Sequence, residues 1–537
     1  MIAKHLGGGG VVTLAILMAG SAQAQDKPRT TVSPYIEASQ ILTADLNGGD
    51  TVTYSSLAAG VDAAVQTTRV NGQISYRYEH QFSWDDDIGD QDIHSGLARV
   101  DAQVTKNLMI EAGGIATRSR ADIRGAAPGV LTGDLDNVSQ VYSVYGGPSF
   151  ATQAGAVAFN ANYRIGYTKV ETPSYADTPT GARRLDYYDD SLNHQVTAST
   201  GFAPGTLLPV GLTASGAYER ETAGQLSQRY EGWYGRGDAL LPLSGYFALT
   251  AGVGYEKIET SQKDALVDAT GNPVLDEDGR FVTAPNSPRR IAYRTDGVYY
   301  DAGVVWRPNR RTSVEAHVGE RYGTMSYTGT ATYQASKSVG LAINVYDSVQ
   351  TFGRQLRTGL ANLPTSFVSP SQGFAQQFNG CIFGSTGAAP GGCLDDVFQS
   401  ISTSSYRARG VDGVLTATRG RTTWGAGLGY ANRRMYAPDL APGIVVTGLE
   451  DQSYYGQLYY ARSLTPVSGI NFNAFANYYD SEYQDADGVW AYGGTGTYYH
   501  SFGRLGTTAS AGLYAFKVGD FDTTWSAQAL LGARYQF

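Results

Sequence analysis

The chain has 537 residues, with 67 glycines and 38 tyrosines, and its 40 lysines and arginines against 49 aspartates and glutamates give a formal net charge of −9. This acidic balance argues against nucleic-acid binding, and a composition rich in glycine and tyrosine is unlike that of a helical enzyme. Beyond the N-terminal segment no stretch approaches the roughly 20 apolar residues of a membrane-spanning helix, so a membrane location would require a β-barrel.

The N-terminal segment has the three parts of a secretory signal peptide. Lys4 provides a basic start, Gly10 to Ala19 an apolar core, and Ala22-Gln23-Ala24 an A-x-A cleavage site. We therefore predict that residues 1–24 are removed on export and that residues 25–537 form a single outer-membrane barrel domain.

Short segments of alternating apolar and polar residues follow. In residues 68–82, Ile74 and Tyr76 share one face, while Arg77 and Glu79 lie on the other. Since the side chains of a strand alternate between faces, such a segment predicts a strand with one apolar side. Charges recur on one face in many segments, which indicates a water-filled lumen. The predicted lumen-lining residues are Arg69, Arg77, Glu79, Arg99, Asp101, Asn160, Arg164 and Arg534.

An acidic loop after residue 83 is a weak candidate for a metal site. Its carboxylates could bind a hard cation, but it lacks the glutamate that closes an EF-hand loop, and a solvated loop is the alternative. The residues are Asp85, Asp86, Asp87, Asp90 and Asp92. The histidines are scattered, and the chain has no G-x-S-x-G, H-E-x-x-H or C-x-x-C motif. We predict no catalytic site and no cofactor.

The lengths of the connections point to the architecture. We count about 22 alternating segments, with a range of roughly 16 to 24. Connections after even-numbered segments are short, whereas many after odd-numbered ones are long, up to residues 350–404. This sorting is typical of an all-β, antiparallel up-and-down transmembrane barrel with short periplasmic turns and long extracellular loops. A soluble sandwich has no reason for it.

The longest connection contains both cysteines. In an oxidising compartment Cys381 and Cys393 are expected to form a disulfide, which would contribute on the order of 3 kcal/mol by restricting the unfolded loop. The apolar residues that follow recur at helical spacing and predict an amphipathic helix of about two turns. They are Leu394, Val397, Phe398 and Ile401. The loop could bury this stripe in the lumen or over the outer rim, and both remain open.

The C-terminal part of the chain resembles a known family. The segments that carry the resemblance are Trp306 to Val314, Gly319 to Gly323, Asp396 to Phe398, Arg421 to Tyr430 and Leu531 to Phe537. Together they resemble the uncharacterised outer-membrane barrels associated with the PEP-CTERM/exosortase system, over residues 306–537. That resemblance implies a place beside exopolysaccharide and surface-protein sorting systems, and it assigns no catalytic residue.

The last thirteen residues predict the closing strand, with an apolar row from Trp525 to Phe537 opposite a mostly polar row. Tyr535 and the terminal Phe537 resemble the signal by which outer-membrane barrels are recognised for assembly. The expected partners are outer-membrane lipid, the barrel-assembly machinery and, through the resemblance, polysaccharide export components.

The expected function is that of a porin-like or export-channel-like barrel in the outer membrane of a Gram-negative bacterium, serving export or surface anchoring of polysaccharide or sorted surface proteins. One alternative is an adhesion or structural barrel that acts through its long loops. A barrel enzyme acting on lipid or peptide is another. The solute, the strand count, the oligomeric state and whether residues 350–404 close the lumen are left open by the sequence.

Overall fold

The computed structural model describes residues 29–49, 51–84, 90–120, 138–171, 188–277, 279–369, 377–399, 401–438, 450–481 and 488–537. The predicted signal peptide, residues 1–24, lies outside these ranges. No helix in the described part of the chain is long and apolar enough to cross a membrane.

The first fifteen strands run in chain order around a barrel. They are β1 Arg29–Asp45, β2 Thr51–Gln66, β3 Val70–Ser83, β4 Gln91–Gln103, β5 Leu108–Arg120, β6 Val138–Ala154, β7 Val157–Glu171, β8 Asp190–Phe202, β9 Gly211–Ala223, β10 Arg229–Pro242, β11 Phe247–Gln262, β12 Arg290–Asn309, β13 Thr312–Arg321, β14 Thr324–Ser336 and β15 Val339–Gln350. Each pairs antiparallel with its neighbour, so the sheet grows as a simple meander.

The connection after β15 contains the helix α1 Phe352–Asn362 and a separate hairpin of β16 Cys381–Thr386 and β17 Ala389–Cys393. The barrel then continues through seven more strands. They are β18 Ser405–Arg419, β19 Thr422–Tyr436, β20 Glu450–Thr465, β21 Ser468–Ser481, β22 Val489–Phe502, β23 Leu505–Val518 and β24 Thr524–Gln536.

The sheet closes between its first and last strands. β24 pairs with β1 from Gln536 opposite Tyr35 to Ser526 opposite Asp45, which gives a 22-stranded ring. A closed ring pairs every strand edge, as a sheet in lipid must. The prediction of an all-β antiparallel barrel of about 22 strands is confirmed.

The two faces of the wall differ as the alternation requires. On β24, Leu531 is 68% exposed and points outwards, whereas Gln528 and Arg534 on the alternate row are buried on the inner side. Other large outward side chains are also exposed, including Val298, Tyr327 and Leu428. An apolar outer belt around a polar interior is the form of a barrel in the outer membrane, where this protein resides.

The connections sort to two ends of the barrel. At the short-turn end they range from two residues, as at 420–421, to eight, at 203–210. The other, long-loop end carries residues 263–289 and 351–404. The shortest connection at the long-loop end joins β13 and β14 through Tyr322 and Gly323 alone, both with positive φ.

The helix inside the longest connection does not lie where the sequence predicted it. The α-helix is α1, whose apolar residues Phe352, Leu356 and Leu360 recur every fourth position. It ends before Leu363, which precedes Pro364 and is therefore disfavoured from helical conformation. Around the predicted site, Val397–Gln399 forms one 3-10 turn. Apolar spacing alone could not distinguish one buried turn from two.

The register of β24 predicts how a charge is tolerated on each face. Leu531→Arg places a guanidinium in lipid and should cost roughly 2–4 kcal/mol of folding free energy. Asn473→Arg on the inner row of β21 should cost far less, although both positions lie five residues from the short-turn end of their strands. Refolding into lipid vesicles over a urea series, followed by heat-dependent gel mobility, measures both. Equal losses would contradict the assigned faces.

Candidate functional site

The described residues of the longest connection, 351–369, 377–399 and 401–404, fold into the barrel, and we call this connection the lumenal loop. Phe352, Leu356 and Leu360 of α1 are buried together with the loop's other apolar side chains. The wall residues of this cluster are Leu97, Ile115, Val141, Tyr145 and Val170. They alternate along their strands with outward residues such as Ile110 and Val144, which are exposed. The cluster therefore lies inside the lumen.

Ion pairs attach the first turns of α1 to the wall. Arg354 donates a hydrogen bond to the Glu219 carboxylate of β9 and lies 3.5 Å from the centre of the Tyr230 ring. The Arg357 guanidinium is 3.7 Å from the same carboxylate. All of these groups are buried. Glu219 pairs with both guanidinium groups, so this attachment depends on one side chain of the wall.

Hydrogen bonds complement the helix at both ends. At the N-terminus, Thr351 donates its hydroxyl to Glu221, which also accepts one from Ser191 at 2.5 Å. At the C-terminus, Arg99 of β4 donates to the carbonyl oxygens of Ala361 at 3.1 Å and Leu363 at 3.2 Å. A carboxylate at the N-terminus and a guanidinium at the C-terminus match the helix dipole, so the wall favours one direction of α1.

The disulfide hairpin lies on the other side of the lumen. Cys381 and Cys393 are bonded to each other, and the backbone N–H of Cys381 donates to Gln457 of β20 at 2.7 Å. A Cβ at Gly427 of β19 would lie 2.8 Å from the Cys381 Cβ, so only a glycine allows this approach. Thr416 of β18 donates to the Gly384 carbonyl at 3.0 Å. The hairpin is thus fixed against β18–β20.

The described contacts of the lumenal loop fall on two opposite parts of the wall. Besides the contacts of α1, Phe367 N–H donates to Gln73 of β3 at 2.9 Å and Phe378 N–H donates to Thr117 of β5 at 2.9 Å. The first contact area therefore runs from β3 to β10, and the second from β15 to β20. In a ring of 22 strands these areas face each other, and the loop spans the lumen between them.

A second connection covers the long-loop end, and we call residues 263–289 the mouth loop. Ala265 and Phe281 are buried with Tyr406 of β18 and Met435 of β19. From the same loop, Arg280 donates to the carbonyl oxygen of Val170 of β7 at 2.8 Å. The mouth loop therefore reaches from β11 and β12 towards both β7 and β18.

Burial raises the pKa of the Asp395 carboxyl, which follows the hairpin, from 3.8 to about 8, and the neighbouring Asp396 charge adds to this shift. The pKa of Asp396 is raised as well, again mainly by burial. The loop therefore brings carboxyl groups into the lumen that favour their neutral form.

Among the predicted lumen residues, seven of eight lie on inner faces. Arg77 contacts Glu37 at 3.4 Å and also pairs with Glu79, and Arg534 donates to Asp62 at 2.9 Å. Arg99 lies 3.6 Å from Asp101, and Arg164 pairs with Glu111. Asn160 shares the inner row with Arg164. Arg69 differs, because it lies exposed in the turn before β3.

The other predicted sites lie as follows. Asp85, Asp86 and Asp87 lie outside the described residues. Asp92 accepts hydrogen bonds from Tyr78 at 2.6 Å and His80 at 2.8 Å, and Asp90 accepts one from the backbone of Ser83. Within the described ranges one group of possible metal ligands comes together, formed by Cys381, Cys393 and Asp395. The two cysteine sulfurs form a disulfide with each other, so they are not free thiolates. Tyr535 and Phe537 point outwards with their rings 5.3 Å apart.

Glu219, Glu221, Arg354 and Arg357 were not singled out from the sequence. The signal for the two glutamates was present, since both lie on the polar row of β9. The arginines sit between the apolar positions of α1, in a segment predicted only as loop.

The chain was compared with known proteins. No family model matches it, and no curated protein does. Solved structures that match include the FrpB iron transporter from Neisseria meningitidis (9% identity, 94% of this chain and 81% of that one, TM-score 0.41). Others are the ferric-catecholate import receptor Fiu from E. coli K12 (11%, 94% and 81%, 0.41) and OccAB4 from Acinetobacter baumannii (9%, 96% and 98%, 0.30). At these values the similarity carries no argument about function.

The expected relationship to PEP-CTERM/exosortase-associated barrels is wrong. No family model matches the chain, and the solved structures that match include iron transporters and siderophore receptors. The segments that suggested it are ones that this barrel needs for its own architecture. Pro308 to Arg311 makes the turn between β12 and β13, Gly427 accommodates the disulfide hairpin, and Leu531 to Phe537 closes the ring.

Removing the shared carboxylate should detach α1. Glu219→Gln leaves Arg354 and Arg357 buried beside a neutral group, which should cost roughly 3–5 kcal/mol. Amide hydrogen exchange over Phe352–Asn362 measures the change. Glu259→Gln is the matched control, because its partner Arg294 is largely exposed and such a pair contributes about 0–1 kcal/mol. Unchanged exchange of α1 in the Glu219 variant would show that apolar packing alone holds the helix.

The Asp395 carboxyl should make the seating of the hairpin depend on pH. Between pH 3.8 and about pH 8 the Asp395 carboxyl is protonated in the seated loop but ionised in the released loop, because its pKa falls back to the ordinary value on release. The stability of the seated loop therefore falls as the pH rises through this window and changes no further above it. Asp395→Asn should seat more firmly than the native chain at pH 9, with no difference at pH 3.

Hydrogen exchange of β16 and β17, corrected for intrinsic rates, measures this, with Asp522→Asn in the exposed turn before β24 as control. The same pH dependence in the Asp395→Asn variant would assign it to other groups.

Proposed function

We propose that this protein is an outer-membrane channel, constricted by its own lumenal loop, through which small hydrophilic solutes diffuse. The observation that carries the proposal is the seating of the loop on two opposite parts of the wall, β3–β10 and β15–β20. A barrel of this size encloses a wide lumen, which other 22-stranded outer-membrane proteins keep plugged. Here the loop narrows it, and the inner faces of β11–β13 and β21–β24 lie beyond the wall areas that its described contacts occupy.

The charges of the lumen support weak ion selectivity. Arg77 lies between Glu37 and Glu79, and Arg236 lies 2.7 Å from Asp238 and also pairs with Asp301. In both clusters the guanidinium has carboxylates beside it, so neither sign of charge dominates there, and we expect solute size and hydration to decide passage.

The direction of the loop's side chains favours a channel over an adhesion protein. Its apolar residues and its buried arginines point to the lumen wall, where an external partner has no access to them. A loop that bound a surface partner would expose such groups at the long-loop end.

Removing the lumenal loop should widen the channel. Replacing residues 352–401 by a short Gly-Ser linker should raise single-channel conductance in planar bilayers several-fold, because the obstruction between the two wall areas is gone. The barrel that carries the linker should also admit larger sugars than the native protein does in liposome-swelling assays. The matched control shortens the mouth loop by removing residues 265–283 and should raise conductance much less.

The two deletions decide between alternatives. If the barrel without its lumenal loop folds and its conductance equals that of the native protein, the lumen is not the pathway and the proposal fails. If shortening the mouth loop has the larger effect, the constriction lies at the mouth.

A further inference from the structure

One sector of the lumen wall is free of charge, and we call the inner faces of β21–β23 the neutral sector. The inward positions of these strands contain no Asp, Glu, Lys, Arg or His, because Asp480, His500 and Lys517 all fall on the outward rows. Elsewhere the wall differs. The inner faces of β11–β13 carry Glu256, Asp301, His317 and Arg321.

Amides and hydroxyls take the place of charges in the neutral sector. Asn471, Asn473 and Asn477 follow each other on the inner row of β21, and Thr495 and Thr497 lie on β22. Asn473 is exposed to the lumen, and its amide oxygen accepts from Gln457 at 3.3 Å. These groups donate and accept hydrogen bonds without attracting either sign of ion.

Aromatic rings run along the same sector from one end to the other. Tyr479 and Phe516 lie nearest the long-loop end, Phe475 and Tyr514 follow with ring centres 6.2 Å apart, and Tyr499 lies near the short-turn end. A Cβ at Gly493 would lie 2.5 Å from the Tyr514 ring, and one at Gly512 would lie 2.7 Å from it. The two glycines therefore let this ring pack closely against the wall, where it is buried, whereas the inward rings of Phe475 and Tyr499 are half-buried and present part of their surface to the lumen.

Three inward tyrosines elsewhere on the wall are covered by cations. Tyr35, Tyr145 and Tyr230 each lie beneath a guanidinium group, of Arg534, Arg99 and Arg354. In the neutral sector Arg120 contacts Tyr479 and Phe516. Among the described residues, the rings of Phe475, Tyr499 and Tyr514 have no such cation over them.

We propose that the neutral sector is a binding track for uncharged oligosaccharides that pass through the channel. A pyranose ring has apolar C–H faces, which stack on flat aromatic rings, and a rim of hydroxyls, which bond to amide and hydroxyl side chains. The accessible rings of Phe475 and Tyr499 would contact sugar units at two separate points along the bound chain. This inference rests on the proposed function, since it names the solute class of that channel.

The chemistry of the sector excludes other solutes. An anionic sugar finds no cation below Arg120, and an apolar ligand would leave the asparagine amides without partners, at a cost of about 1–3 kcal/mol for each buried group. A neutral polyol with apolar faces satisfies both the rings and the amides.

Binding is tested apart from transport. Saturation-transfer NMR and calorimetry on the detergent-solubilised protein would measure a neutral linear glucose hexamer and a galacturonic acid hexamer. We expect the neutral hexamer to bind and the acidic one to bind at least about ten-fold more weakly. Phe475→Ala and Tyr499→Ala should each lower the affinity for the neutral hexamer about five- to ten-fold.

Phe472→Ala is the matched control, since Phe472 lies on the lipid face of the same strand and is half exposed. Heat-dependent gel mobility establishes that each variant is folded. If an alanine variant does not fold, Phe475→Leu and Thr495→Glu replace it, the first removing a ring and the second adding a charge to the sector. Either should weaken binding of the neutral hexamer.

The outcomes separate this inference from the proposed function. Equal binding of both hexamers, or equal weakening by Phe472→Ala, would overturn the track. A channel that conducts ions but binds no neutral hexamer would also overturn it and leave the proposed function standing. Binding by a protein that conducts nothing would uphold the track and overturn the proposed function.

Discussion

The pairing of every strand edge is the constraint on which this structure depends. In lipid an unpaired backbone group has no water to bond to, so the first strand must meet the last. β1 and β24 meet this requirement over Tyr35 to Asp45. Closing 22 strands encloses more space than the wall's own side chains can fill. The chain fills part of that space with its longest connection, and the site is therefore a consequence of closure at this strand number.

The lumenal loop is held by two kinds of contact with different roles. Apolar burial of Phe352, Leu356 and Leu360 supplies a driving force that has no direction. The polar contacts supply direction, because Glu221 and Arg99 bind opposite ends of α1 and Glu219 lies beside both arginines. Buried ion pairs add little net stability over apolar packing but penalise every arrangement that separates them. The loop thus has one orientation in the lumen.

The sequence predicted the wall well and its contents poorly, for a physical reason. Alternation follows from the two faces of a strand, so β3 and β24 could be placed with inward Glu79 and Arg534 from period alone. The loop obeys no such period. The position of α1 depends on Glu219 and Arg99, which are distant in sequence, and a short apolar stripe at Leu394 to Ile401 suits one buried turn as well as a helix. The family resemblance misled because it rested on turns and closing-strand residues that this barrel needs in any case.

The lumenal loop also divides the wall by chemistry. It spans the lumen between β3–β10 and β15–β20. The first area carries the groups that bind the arginines and both ends of α1, and the second carries the contacts of the disulfide hairpin. The wall areas beyond these contacts differ, with paired charges on β11–β13 and amides, hydroxyls and rings on β21–β23. A passage beside paired charges orders water strongly, whereas a neutral wall exchanges its hydrogen bonds readily with a polyol. In the channel that we propose, the position of the loop determines which part of the wall a solute meets, and so links the seating of α1 to selectivity.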